Sequence, residues 1–162
     1  MYNYQINSYL KIIFLISLIS IISAFFIEYV LGHQPCNLCL IQRIPYVLSV
    51  ILVALNYFQR KNQKFIILLL ILIFSFSFLI SIYHFGIEQG FFEESAVCTM
   101  TNTSNIISKE ELLKQLQLKT VSCKDVTFRI FGFSLTAFNM IISLILVIFL
   151  TNFFKNYEKF KK

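Results

Sequence analysis

The sequence predicts an all-α membrane protein, a four-transmembrane-helix bundle in which residues 1–162 form one domain. Three observations predict it. The chain is 57% hydrophobic and only 14% charged, whereas a soluble domain is roughly one quarter charged. Four apolar runs each reach the roughly 20 residues that a helix needs to cross the hydrocarbon core. The basic residues sit beside those runs, where they set topology and anchor to headgroups. The net charge of +6 therefore does not point to a nucleic-acid partner, and none is expected: no basic stripe or binding module accompanies it.

The first span covers about 10–31, with Lys11 at its start and Glu28 near its end. Its length, and the absence of a small-residue cleavage pattern after it, argue for a retained anchor rather than a signal peptide. The second span covers about 38–58 and carries Arg43 and Pro45 near its start. A helix beginning at Pro45 would keep only roughly 14 residues, too few to cross, so Pro45 is expected inside the helix as a kink just below Arg43. The third span covers about 65–85, with no charge before His84, and the fourth about 131–154, with no charge at all. Backbone groups in lipid must be satisfied within the segment, and these uniformly apolar runs lack the alternation of barrel strands.

The connections are unequal. Residues 32–37 and 59–64 form short loops, and residues 86–130 a long one. Within the long loop, residues 108–118 (SKEELLKQLQL) read as a short amphipathic helix. Ser108 and Glu111 make a capping box, and Leu112, Leu113 and Leu116 share a face that suits either the membrane surface or packing on the loop itself.

Lys and Arg in short loops set orientation. Arg60, Lys61 and Lys64 join spans two and three, and the C-terminal tail carries Lys155, Lys159, Lys161 and Lys162. Both segments, and hence both termini, are expected in the cytoplasm. The loops at 32–37 and 86–130 then face the other side. Glu28, Cys36, Cys39, Arg43 and His84 converge there, because alternate helix ends must share a face.

All four cysteines lie on that side. In a bacterial inner (cytoplasmic) membrane it would be the periplasm, an oxidising space, where an even cysteine count reads first as disulfides. Cys36-Asn37-Leu38-Cys39 is a C-x-x-C at a helix start. Two intervening residues let both sulfurs close a small ring, and free N–H groups and the helix dipole favour thiolate over thiol. Thiolate is the attacking species in exchange. Pro35 is expected in the first turn of that helix, where its missing N–H costs nothing. Cys98 and Cys123 lie in the long loop, where a bridge would be reachable by a protein partner.

Arg43 lies about one turn deeper than Cys39, and a charge inside a span marks a functional candidate, unless it snorkels to headgroups. His84 can donate a hydrogen bond to a carbonyl ligand or simply face water. Glu28 can pair with Arg43 or point to solvent. The same four cysteines also allow two readings without turnover: a membrane scaffold with structural disulfides, or a Cys₄ zinc site, although the second pair lacks C-x-x-C spacing. Four cysteines permit three pairings, and spacing does not choose among them.

Pro35-Cys36-Asn37-Leu38-Cys39 followed by Gln42-Arg43 resembles the P-C-x-L-C-x-x-x-R signature of the bacterial disulfide bond formation protein B (DsbB) family. Tyr83-His84-x-Gly86-x-Glu88-x-Gly90 before Cys98 is similar to that family's end of helix three. Ser122-Cys123, then Phe131-Gly132-x-Ser134 and Asn139, is similar to its approach to helix four. The likeness covers nearly the whole chain. The vitamin K epoxide reductase-like proteins place loop cysteines before a late C-x-x-C, the reverse of the order here.

The resemblance implies a thiol:quinone oxidoreductase with catalytic Cys36, Cys39, Cys98 and Cys123. A periplasmic thioredoxin-fold dithiol oxidase (DsbA-like) would attack a Cys98–Cys123 disulfide at Cys98. Electrons would pass to Cys36–Cys39 and, from Cys39, to a membrane quinone (ubiquinone or menaquinone). Arg43 and His84 match the family positions beside the quinone. No resident metal is implied. Gln42 stands where some members have an acid, which bears on the polarity of the quinone site.

Overall fold

The computed structural model describes residues 2–58, 63–94, 98, 122–124, 129–130 and 132–161. Four long helices dominate: α1 (Tyr2–Phe25), continued by a π-helical turn (Phe26–Val30), α2 (Asn37–Phe58), α3 (Gln63–Glu88) and α4 (Leu135–Lys161). Each contains a segment long and apolar enough to cross a membrane: Ser8–Val30, Asn37–Tyr57, Gln63–Glu88 and Leu135–Tyr157. The expected amphipathic helix at 108–118 lies outside the described residues.

The helices exceed the expected spans where polar residues continue them. Tyr2 to Tyr9 extends α1, and Lys155 to Lys161 extends α4, where Lys and Glu are good helix formers. α2 runs without interruption through Pro45, which therefore does not start the helix.

Two expectations need correcting at helix starts. Pro35 lies outside α2, not in its first turn. Cys36 is the capping residue instead: its carbonyl accepts from Leu40 N at 3.2 Å, and its Sγ accepts from Cys39 N at 3.3 Å. The fourth helix begins at Leu135, not near 131. Arg129–Ile130 and Phe133–Ser134 pair as a short antiparallel hairpin, with Ile130 opposite Phe133. Gly132 turns it at φ 86°, a conformation that needs no Cβ. Ser134 then caps α4, its Oγ accepting from Ala137 N at 3.2 Å.

α2 packs against both α1 and α3, and α3 packs most extensively on α4. The core comprises Leu10, Ile13, Tyr46, Val53, Ile67, Leu70, Phe74, Leu146 and Leu150. The outer surface is apolar as well: Ile22, Leu72, Leu79 and Ile145 are each more than half exposed. Burial cannot explain apolar side chains that point outward; a lipid solvent can.

With no hydrophobic drive between helices in lipid, small and polar residues hold the interfaces. Ser49 donates to Ser17 across α2 and α1 at 2.7 Å, and Ser77 meets Ser143 across α3 and α4 at 3.1 Å. Tyr46 Oη donates to Asn139 Oδ1 at 2.5 Å, and Asn139 Nδ2 donates to Ser81 Oγ at 2.6 Å, joining α2, α4 and α3. The serine pairs lie near the middle of the spans, and the Tyr46–Asn139–Ser81 bonds lie nearer the end that carries the cysteines.

Candidate active site

Alternation of the helices brings four ends together: the π turn after α1, the start of α2, the end of α3 and the start of α4. The widened turn holds Glu28, whose carboxylate accepts from Arg43 Nη1. The Arg43 guanidinium also lies over the Phe25 ring, 5.3 Å from its centroid. Arg43 thus pairs with Glu28 across α1 and α2 rather than snorkelling alone. Its Nε is buried and has no hydrogen-bond partner among the described residues.

His84 is 1% exposed and does not face water. Nε2 lies 3.5 Å from Cys36 Sγ, and Nδ1 lies 3.2 Å from Gln42 Nε2 and 3.3 Å from Thr136 Oγ1. With Gln42 Nε2 as the donor to Nδ1, the ring proton sits on Nε2 and points at Cys36. Gln42, four positions after Leu38, thereby fixes the orientation of a histidine on another helix.

Cys36 and Cys39 are both unbridged, with their sulfurs 2.8 Å apart. The Cys36 thiol is lowered from the ordinary 9.0 to about 4. Its hydrogen bond with the Cys39 thiol is the largest cause, and His84 and the Cys39 amide add to it, while burial opposes them. The thiolate that C-x-x-C spacing led one to expect at this helix start is therefore Cys36.

Cys98 and Cys123 form a disulfide with Cα atoms 5.5 Å apart. Both are 3% exposed, which corrects the expectation of a bridge open to a partner. An uncharged disulfide is a good apolar surface, and this one packs with Cys36, Leu38 and Ile87 into a single cluster, against which Cys39 also lies. Glu94 helps hold the loop there, accepting from the Ser122 hydroxyl and, at 3.0 Å, from Lys124 N. The bridge also removes two sulfurs from any Cys₄ metal site.

Glu88 belongs to the site although spacing alone did not single it out. Its side chain is 6% exposed, and Oε1 accepts from Thr136 Oγ1 at 2.5 Å and lies 3.9 Å from His84 Nε2. Oε2 is buried without a hydrogen-bond partner among the described residues. The available signal was its i+4 spacing from His84, which puts both on one face of α3.

A cavity of about 390 Å³ opens beside these groups. Ile19, Ala24, Ile27 and Ile142 give it apolar walls, and Cys36, Cys39, Arg43, His84 and Glu88 line its polar end. Its volume and mixed lining are those of a small-molecule site.

A C-x-x-C dithiol at a membrane helix start, packed on the loop disulfide beside a cavity lined by apolar and charged groups, defines a multi-pass membrane disulfide oxidoreductase. The chain belongs to the disulfide bond formation protein DsbB family, whose model matches residues 7–153. It is similar to a Rickettsia prowazekii (strain Madrid E) protein described as uncharacterized protein RP370, with 28% identity over 137 residues, or 83% of this chain and 80% of that one. No solved structure matches the chain.

Proposed function

We propose that the chain is a thiol:quinone oxidoreductase of the bacterial inner membrane, with its cysteine end in the periplasm and both termini in the cytoplasm. It would reoxidise a periplasmic thioredoxin-fold dithiol oxidase and pass the electron pair through two cysteine pairs to ubiquinone or menaquinone. The observation that carries this reading is the stacking of the loop disulfide on the C-x-x-C pair at the wall of the cavity.

The residues present fit a quinone. The cavity lining is mostly apolar and includes two residues with buried atoms that have no hydrogen-bond partner among the described residues, the donor Arg43 Nε and the acceptor Glu88 Oε2. A bound quinone would supply a sink for two electrons and two protons. Arg43 would sit where negative charge develops, with Glu28 holding its Nη1 side so that Nε remains free. Cys39, already within α2, is the sulfur from which electrons leave. The Cys36 thiolate, 2.8 Å away, closes the disulfide behind them. His84 steadies that thiolate until the bond forms.

Upstream, a partner thiolate attacks Cys98 and Cys123 leaves. Cys123 then attacks the Cys36–Cys39 bond, forming a mixed disulfide and freeing one thiol of that pair, while the partner's second thiol displaces Cys98 and departs oxidised. Cys98 then attacks Cys123 in the mixed disulfide, which re-forms the Cys98–Cys123 bridge and releases Cys36 and Cys39 as a dithiol. Cys98 is buried, so the partner must displace its cover to reach it.

Purified protein given reduced partner should reduce a soluble quinone, and Cys36→Ser or Cys39→Ser should abolish that rate. An intact rate in either variant overturns the reading. Arg43→Ala should slow quinone reduction by roughly 100-fold, in the range for loss of a charge-stabilising donor, while sparing oxidation of the partner in a single turnover. Equal loss in both half-reactions would mean misfolding instead.

A further inference from the structure

The three donor atoms Cys36 Sγ, Cys39 Sγ and His84 Nε2 lie within 4.8 Å of one another. Tetrahedral zinc, with Zn–S of about 2.3 Å and Zn–N of about 2.0 Å, requires S···N separations of roughly 3.5 Å and S···S separations of roughly 3.7 Å. The Cys36 Sγ to His84 Nε2 distance is 3.5 Å, so that edge of a tetrahedron is already in place. The two hydrogen-bonded sulfurs stand 2.8 Å apart and must open by about 1 Å to admit a cation.

A fourth donor would swing in. Glu88 lies outside that 4.8 Å group, but its Oε1, bonded to Thr136, is 3.9 Å from His84 Nε2, its side chain is 6% exposed, and its Oε2 has no hydrogen-bond partner among the described residues. An unsatisfied buried carboxylate oxygen costs free energy that a cation would recover. The outer shell fits too. Thr136 Oγ1 lies 3.3 Å from His84 Nδ1 and itself donates to Glu88. It can accept a hydrogen bond from Nδ1–H and leave the Nε2 lone pair facing the sulfurs, with the Gln42 amide turned to present its oxygen.

We propose that Cys36, Cys39, His84 and Glu88 form a site for a thiophilic divalent cation, Zn²⁺ or Cd²⁺, that exists only while the C-x-x-C pair is reduced. The cation replaces the thiol proton between the sulfurs, which leaves to solvent, and no electron moves. A disulfide offers no thiolate, so oxidation abolishes the site. Conversely, a bound cation holds the sulfurs apart and prevents the disulfide from closing. The site is thus an inhibitory one for the reaction proposed above. That consequence rests on the proposed function; the binding itself does not.

The test uses the full-length protein carrying Cys98→Ser and Cys123→Ser, so that only the C-x-x-C thiols can report. After reduction with a phosphine, titration with Cd²⁺ should give a cadmium–thiolate charge-transfer band saturating at one ion per chain. After oxidation with diamide the band should be absent. His84→Ala should weaken binding at least about 10-fold. X-ray absorption of the zinc-loaded protein counts ligands without needing a folded histidine variant, and should find two sulfurs with two lighter N/O donors. A sulfur-free or sulfur-only shell, unchanged affinity in a folded His84→Ala variant, or equal binding by the oxidised protein overturns the proposal. Neither reagent is a quinone. If quinone reduction is absent and cadmium still binds, only the proposed function falls; if quinone reduction is intact and cadmium does not bind, only this site falls.

Discussion

Cys36 combines three roles that a sequence motif records only as one letter. It caps α2 through its carbonyl, its sulfur accepts the Cys39 amide, and the same sulfur faces both Cys39 Sγ and His84 Nε2. Donors surround it on every polar side, and its thiol falls to about 4 despite burial. A lowered thiol is thiolate at every pH above its own value, and loses its charge only as pH falls through about 4. Alkylation of Cys36 by a small reagent should therefore be flat from roughly pH 5 to pH 8 and should not climb toward the ordinary thiol range. In His84→Ala, which lacks one of those donors, the titration step should move upward. A rate in the unaltered protein that rises steadily across that range would show that Cys36 is an ordinary thiol.

At the scale of the element, the start of α4 decides where Thr136 stands. The apolar run at 131–154 suggested a helix from its first residue, but Gly132 at φ 86° and the capping Ser134 shift the start to Leu135. Both signals were in the sequence and were outweighed by hydrophobicity, which is blind to a glycine in an apolar run. Thr136 then falls in the first turn and meets both His84 and Glu88. Ser134→Ala should cost about 1 kcal/mol, the usual worth of a helix cap. Gly132→Val should cost at least as much, because a β-branched residue at positive φ is strained by roughly 1–2 kcal/mol. Thermal unfolding in detergent measures both, and a change in neither would mean that the hairpin does not set the helix start.

For the whole molecule, the arrangement is a gradation of depth. The loop disulfide covers the C-x-x-C pair, which meets the cavity, and Arg43 lies about one turn further in. Such an arrangement suits a relay from an aqueous dithiol to a lipid-soluble acceptor. The proposed direction of the bundle in the bilayer rests on Arg60, Lys61, Lys64 and the Lys-rich tail. A reporter enzyme active only in the periplasm should be inactive when fused after Lys162 and active when inserted in the loop at 86–130. The opposite pattern would reverse the proposed orientation and place the cysteine pairs in a reducing compartment.

The sequence by itself determined the number of helices and the convergence of Glu28, Cys36, Arg43 and His84 at one end. Long apolar runs in lipid have few alternatives to helix, and an even count of crossings fixes which ends meet. It also marked every cysteine and Arg43, because a charge or thiol stands out against an apolar background. Only the tertiary structure decided what those groups do to one another. It chose Cys98–Cys123 among three pairings and buried that bridge. It turned Gln42 and Thr136 toward His84, paired Glu28 with Arg43, and left Glu88 Oε2 with no hydrogen-bond partner among the described residues. Such contacts depend on how neighbouring helices rotate about their own axes, and that rotation is set by packing across the bundle, through bonds such as Tyr46–Asn139–Ser81, which no single span encodes.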